Sequence, residues 1–265
     1  MRSIGTLAYS LACYLVFLLA FLYAICFVAD VLVPRTIDHG PVAPAATAFA
    51  IDVLLLVLFA LQHSVMARPA FKRWLTSWLP EPMERSTYVL ASSLVLLLLF
   101  WQWRPLPAVI WAVQAPWAYW LLYALSALGW LIVLTGTFTI DHFDLFGLRQ
   151  AWYGARGREA QPARFVERYY YRLIRHPLML GFLIAFWATP RMSAGHLLFA
   201  LATTGYILVA VKFLEERDLV AMHGEAYRDY QRRVPMLCPW PRRRAGLGTR
   251  SGPTPAPGAG AAGAR

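Results

Sequence analysis

Long apolar blocks separated by short charged stretches constrain this chain more than any other feature. They run from about Leu7 to Val33, Ala46 to Met66, Tyr88 to Trp103 and Trp117 to Ile140. A fifth region, Leu178 to Leu214, is broken at Thr189-Pro190-Arg191. A bilayer core about 30 Å thick is crossed by roughly 20 helical residues, so the first four blocks read as spans. The stretch Leu178–Thr189 has only 12 residues, and the fifth region reads instead as a hairpin of two tightly packed helices. The first block is too long for a signal-peptide apolar region and no small-residue cleavage site follows it, so it is expected to be retained. Composition agrees: 59% of residues are hydrophobic, against about 45–50% in soluble domains. The expected fold class is all-α: a polytopic membrane helical bundle with four transmembrane helices, a C-terminal helical hairpin and a short cytoplasmic helix.

Lys and Arg in the short loops orient such a bundle. Residues 67–87 hold Arg68, Lys72, Arg73 and Arg85, and residues 139–177 hold Arg149, Arg156, Arg158, Arg164, Arg168, Arg172 and Arg175. The opposite loops hold Arg35 and Arg104. Eleven against two places the two basic loops and both termini in the cytoplasm. The same asymmetry accounts for most of the net charge of +11 without invoking nucleic acid. One membrane domain is expected over residues 1–240. The tail 241–265 has five basic residues, no acid, and ten Pro or Gly, a composition expected to stay disordered and able to touch anionic lipid. Cys13, Cys26 and Cys238 form no CxxC pair and no disulfide framework,.

Four polar constellations stand out from the apolar background. The first is Tyr169-Tyr170-Tyr171-Arg172-Leu173-Ile174-Arg175-His176-Pro177-Leu178-Met179-Leu180-Gly181. Pro177 suits the first turn of a helix, which puts Arg175 and His176 at a helix N-terminus, where free N–H groups and the dipole favour an anion. Arg175 could equally be a membrane anchor and His176 a cap. The second is Glu215-Glu216-Arg217-Asp218-Leu219. Its acids could receive an ammonium or ribose hydroxyls, or Lys212 and Glu216 could form a solvated i,i+4 pair. The third, Asp141-His142-Phe143-Asp144-Leu145-Phe146-Gly147-Leu148-Arg149, could perform acid–base work or be a polar helix end. The fourth is Gln62-His63-Ser64, with Asp52 deeper in the same span. Polar groups inside a span are functional candidates, although each could simply bond a neighbouring helix. No HExxH, GxGxxG or GxxxxGK[ST] spacing occurs, and no metal site is expected.

The first two constellations, followed by His223-Gly224-Glu225-Ala226-Tyr227-Arg228-Asp229-Tyr230 and Val234-Pro235, resemble the isoprenylcysteine carboxyl methyltransferase superfamily. The likeness covers about residues 139–239. In that superfamily this half forms the S-adenosyl-L-methionine site. The resemblance therefore implies cofactor contacts at Tyr171, Arg175, His176, Pro177, Met179, Gly181, Glu215, Glu216 and Tyr227. Met179 stands where the superfamily often has Tyr, which removes that hydroxyl and leaves a side chain able to pack against adenosine. Gln62-His63-Ser64-Val65-Met66-Ala67-Arg68-Pro69, the stretch 142–150 and Phe186-Trp187-Ala188-Thr189-Pro190 make the sequence most similar to the bacterial methanethiol S-methyltransferases within it. With these the likeness covers about residues 5–240.

The resemblance implies transfer of a sulfonium methyl to a small thiol, methanethiol giving dimethyl sulfide. A thiol must lose its proton to become the nucleophile. His142 or Asp144 could accept that proton, and Arg149 or Arg217 could stabilise the thiolate. A small apolar thiol can arrive through the bilayer, which gives a reason for a membrane enzyme in the bacterial inner membrane. The Gln-His-Ser motif also resembles a membrane family that includes zeta-carotene isomerase and NnrU-like denitrification proteins. There His63 would ligate haem, with His142 or His176 as partner.

Overall fold

Proline sets where many of the helices begin. The computed structural model describes residues 2–158 and 167–238. Arg164 and the tail 241–265 lie outside them. Helix α1 (Arg2–Ala29) is followed by α2 (Ala45–Met66), directly after Pro44. Helices α3 (Pro69–Thr76), α4 (Glu81–Gln102) and α5 (Pro116–Ile140) each carry Pro in their first two positions. There a missing N–H leaves no helical bond unmade. Two short helices, α6 (His142–Leu145) and α7 (Leu148–Ala155), follow. Next come a 3-10 turn at Tyr169–Arg172 and α8 (Pro177–Trp187), again opened by proline. Helix α9 (Ala194–Ala210) runs through a π turn, Val211–Glu215, into α10 (Glu216–His223), and α11 (Glu225–Arg233) ends the described chain's regular structure.

Among the described residues, five helical runs are long and apolar enough to cross a membrane: α1, α2, α4, α5 and the continuous run Ala194–His223. The all-α membrane bundle expected from sequence is therefore present, and the hairpin's second arm is itself of spanning length. Large apolar side chains such as Leu19, Leu54, Leu61 and Leu131 face outward, as lipid permits. Inside, Phe27, Phe100, Trp103, Trp130, Phe186 and Phe199 form one aromatic core.

Some boundaries differ from the sequence reading for identifiable reasons. The first span ends at Ala29 rather than Val33, because Asp30 and Leu32 take positive φ and turn the chain. The third begins at Glu81 rather than Tyr88; Glu81 and Glu84 sit in the first turn, favourable to the helix dipole. The hairpin break is a short strand, β2 (Arg191–Ser193), antiparallel to β1 (Val109–Ala112). Nothing in the apolar pattern announces this pair. It satisfies the backbone where two helix ends leave it exposed.

Helices α5 and α8 meet backbone to backbone. A Cβ on Gly129 would lie 2.6 Å from the Gly181 oxygen and the Ala185 nitrogen, and one on Gly181 would lie 2.7 Å from the Gly129 oxygen. Ser126 fastens the contact by donating to the Ala185 carbonyl at 3.0 Å. Small residues at a crossing allow this approach in membranes.

Candidate active site

The mouth of α8 gathers the charged residues of two distant motifs. His176 is its N-cap residue. Arg175 and His176 are both buried, at 7% and 5% exposure. The Arg175 guanidinium contacts Glu216 Oε1 through Nε at 2.7 Å and Nη2 at 2.6 Å. Its Nη1 donates to the carbonyls of Gln231 (2.9 Å) and Val234 (2.8 Å). His176 Nε2 lies 3.3 Å from Glu216 Oε1 and Nδ1 lies 3.5 Å from Glu215 Oε1. Gln231 donates to Glu216 Oε2 at 3.2 Å. The Arg175 and His176 amides donate to the carbonyls of Pro235 and Met236, and Tyr230 donates to the Tyr171 carbonyl at 2.5 Å. The C-terminal segment is thereby tied across the hairpin.

This geometry separates roles that the motif alone leaves merged. Arg175 is enclosed by four acceptor contacts within the protein, which leaves its guanidinium turned away from lipid head groups. Glu216 is 12% exposed and holds Arg175, while Glu215 is 43% exposed and, among the described residues, pairs only with His176 Nδ1, through Oε1. The expected Lys212–Glu216 pair does not form: the π turn displaces Lys212, whose ammonium lies over Phe213 at 5.4 Å. Burial pulls His176 down, but Glu215 and Glu216 outweigh it and push the imidazole up to about 9. Burial, with Glu215 for Tyr171 and Glu216 for Tyr227, raises both phenols well above their usual range. Tyr171, Arg175, His176, Glu215, Glu216 and Tyr227 thus converge. Pro177 opens the helix, and Met179 sits half-buried one turn in. Gly181 faces α5, so its close approach is to Gly129.

The His142 cluster is organised separately. Asp141 ends α5 in a left-handed conformation, φ 89°, and its side chain caps α6 by accepting the Asp144 amide at 3.1 Å. His142 is buried, with Nε2 2.8 Å from the Tyr14 hydroxyl and Nδ1 2.8 Å from the Thr137 hydroxyl. Phe138 stacks on the ring at 4.3 Å and Phe146 meets it edge-on at 4.8 Å. Burial lowers the His142 pKa against the pull of Asp141. Burial raises the Asp144 carboxyl, with Arg149 opposing. Arg149 is paired with Asp141 and lies 4.0 Å from Asp144. Arg217 is exposed, over Phe213 at 5.9 Å.

His63 belongs to a third network, between α2, α4 and α9. Its Nε2 lies 2.8 Å from the Tyr88 hydroxyl and its Nδ1 3.2 Å from Ser92, and Phe59 stacks on the ring at 5.3 Å. Side chains thus occupy the ring edges that haem ligation would use. Ser64 bonds the Tyr206 hydroxyl at 3.0 Å, and Arg68 pairs with Asp218 of α10 at 3.1 Å. Asp52 accepts the Arg104 amide at 2.9 Å. Sequence reasoning misses Tyr206 and Gln231. Tyr206 is a polar residue within an apolar run, which is a readable signal; Gln231 lies on a strongly charged helix face that hides it.

The family model described as NnrU protein matches residues 53–237. Methanethiol S-methyltransferase of Mycobacterium tuberculosis is 58% identical, over 92% of this chain and 99% of that protein. Methanethiol S-methyltransferase 2 of Bradyrhizobium diazoefficiens is 56% identical, over 91% and 93% respectively. Nurim of Rattus norvegicus is 33% identical, over 68% and 71%. No solved structure matches. With likeness of this extent, spanning the helices that carry all three polar networks, the chain belongs to the NnrU protein family and, within it, to the methanethiol S-methyltransferases.

Proposed function

We propose that this protein is a thiol S-methyltransferase that converts methanethiol to dimethyl sulfide, with S-adenosyl-L-methionine as donor. The observation that carries the activity is the likeness to methanethiol S-methyltransferases along almost their whole length. The donor is supported by the α8 mouth, whose groups match a ligand bearing a carboxylate, an ammonium and hydroxyls. The N–H groups at the start of α8, with the positive charge of protonated His176 beside them, would hold the carboxylate. Glu215, the open acid, would take the ammonium or the ribose hydroxyls. Tyr171, Tyr227 and Met179 would flank the adenosine, with Arg175 and Glu216 keeping His176 in place. S-adenosyl-L-methionine supplies an electrophilic methyl on its sulfonium.

The residues around it then position a small thiol, whose alignment supplies roughly 7–11 kcal/mol of the barrier reduction. Arg149 is already neutralised by Asp141, so Arg217 is the better placed of the two to attract a thiolate. The thiol would give its proton to water, its sulfur would take the methyl as the sulfonium–methyl bond breaks, and dimethyl sulfide and S-adenosylhomocysteine would leave. We place the protein in a bacterial inner membrane with the α8 mouth in the cytoplasm, from the Lys/Arg asymmetry.

The test has two arms. Cells expressing the chain and given methanethiol are expected to release dimethyl sulfide into the headspace. The purified protein is expected to bind S-adenosyl-L-methionine in calorimetry, with Glu215→Gln weakening binding about 10–150-fold, the effect of one charge-assisted hydrogen bond. Absence of dimethyl sulfide from well-expressed protein overturns the activity; unchanged affinity in Glu215→Gln overturns the site.

A further inference from the structure

An apolar cavity of about 140 Å³ lies between α2 and α9, walled by Val53, Leu56, Ala60, Ala202, Thr203 and Tyr206. The Thr203 hydroxyl is turned back onto its own helix, donating to the Phe199 carbonyl at 2.6 Å. The wall is therefore apolar along its length. One end is polar: the Tyr206 hydroxyl bonds Ser64, and His63 lies beside both Phe59 and Tyr206. Val57 is exposed on the outer rim, on α2, a helix long and apolar enough to cross a membrane.

We propose that this groove is the binding and size-selecting pocket through which the thiol reaches the protein from the bilayer. The inference rests on the thiol methylation proposed above. Three observations fix the occupant as a small apolar molecule with one weakly polar atom. A dry apolar cavity of about 150 Å³ accepts a molecule as large as benzene, so methanethiol, with two heavy atoms, fits and thiols bulkier than benzene do not. The lining offers a methyl group contact everywhere except at Tyr206, whose hydroxyl is bonded to Ser64 and gives a sulfhydryl a hydroxyl partner. Finally, that end leads toward the donor site. Tyr206 lies nine residues before Glu215 on one continuous helical run, and Arg68, just beyond Ser64, is paired with Asp218 of the same run.

The test is the size of the cavity. In Ala60→Cys, treatment with methyl methanethiosulfonate places a methylthio group, the substrate's own shape, inside the groove as a mixed disulfide. The expected result is a rise in KM for methanethiol of tenfold or more. Donor affinity is expected to be unchanged and the original KM restored by dithiothreitol, while treated wild type, with Cys13, Cys26 and Cys238, stays unaffected. Phe59→Ala, which widens the groove, is expected to extend turnover to naphthalene-2-thiol, which is larger than benzene. Failure of the introduced thiol to react in folded Ala60→Cys protein, or a fully labelled Ala60→Cys with unaltered KM, overturns the pocket. Wild type that makes no dimethyl sulfide overturns the methylation reading itself, which keeps the two failures distinct.

Discussion

Two buried histidines show how neighbours decide what an imidazole can do. His176 faces two carboxylates and is held protonated up to about 9; His142 faces two hydroxyls and four aromatic rings, and burial lowers it. For His176 the folded value lies above the ordinary 6.5. Its ion pairs therefore stabilise the protein fully below about pH 6.5, and that contribution is lost as pH rises through about 9. Thermal unfolding of wild type is expected to weaken by about 1–3 kcal/mol over that window, and His176→Gln to flatten the loss. A wild-type curve already flat from pH 6 to 9.5 excludes the charged imidazole. His142 carries a different expectation. Both its nitrogens are engaged and its ring is caged, so we propose that it braces α1 against α5 and is not the group that takes the thiol's proton. His142→Ala is expected to lower stability by about 2–4 kcal/mol through the cavity and the two lost hydrogen bonds. The shape of its kcat/KM profile against pH should persist. Loss of the rise near pH 6.5 would restore His142 as the base that its sequence context suggests.

At the scale of elements, the π turn at Val211–Glu215 is the device that builds the site. One residue beyond the α-helical count rotates everything after it by about 100°, which turns Glu216 toward Arg175 and away from Lys212. Deleting Leu214 is expected to restore a plain α-helix and carry Glu215 and Glu216 off the α8 mouth. Donor affinity should fall tenfold or more in calorimetry while circular dichroism stays unchanged; retained affinity would mean that the turn is incidental. This device marks where sequence ceases to suffice. Apolar runs and first-turn prolines are local signals, so α2, α5 and α8 were legible almost to the residue. The meeting of Arg175-His176 with Glu215-Glu216 was legible only through the family resemblance. Gln231 on Glu216, Gly181 against Gly129, and Tyr206 on Ser64 were not legible, because each depends on which helix faces which. A π turn leaves no compositional mark at all, and an i,i+4 reading of Lys212 and Glu216 presumes the regular helix that it interrupts.

The whole molecule has a thin side, and its placement in the bilayer follows from it. Helix α8 has 11 residues, about 16 Å of rise, against a hydrocarbon core of about 30 Å. One end of α8 is closed by the β1–β2 pair, whose strands join α5 and α9 to their predecessors. The other end, carrying Arg175 and His176, must therefore lie below the level of the long helices' ends, in a recess roofed by α10, α11 and residues 234–236. A recess lined by buried charge is tolerable only where water or a polar ligand reaches it, so it has to open on one aqueous side. That side is the one bearing α3, with Lys72 and Arg73, and α7, with Arg149 and with Arg156 stacked 4.1 Å over Trp152. Basic loops favour the cytoplasm, where a nucleoside-bearing methyl donor is available. Reporter fusions at residue 78, between α3 and α4, are accordingly expected to read cytoplasmic. Fusions at residue 40, between α1 and α2, and at residue 110, in β1, are expected to read periplasmic. The two sets are diagnostic together, because inverting the molecule exchanges all three signals at once. A periplasmic reading at 78 with cytoplasmic readings at 40 and 110 would turn the recess outward and leave the α8 mouth without access to the donor we propose for it.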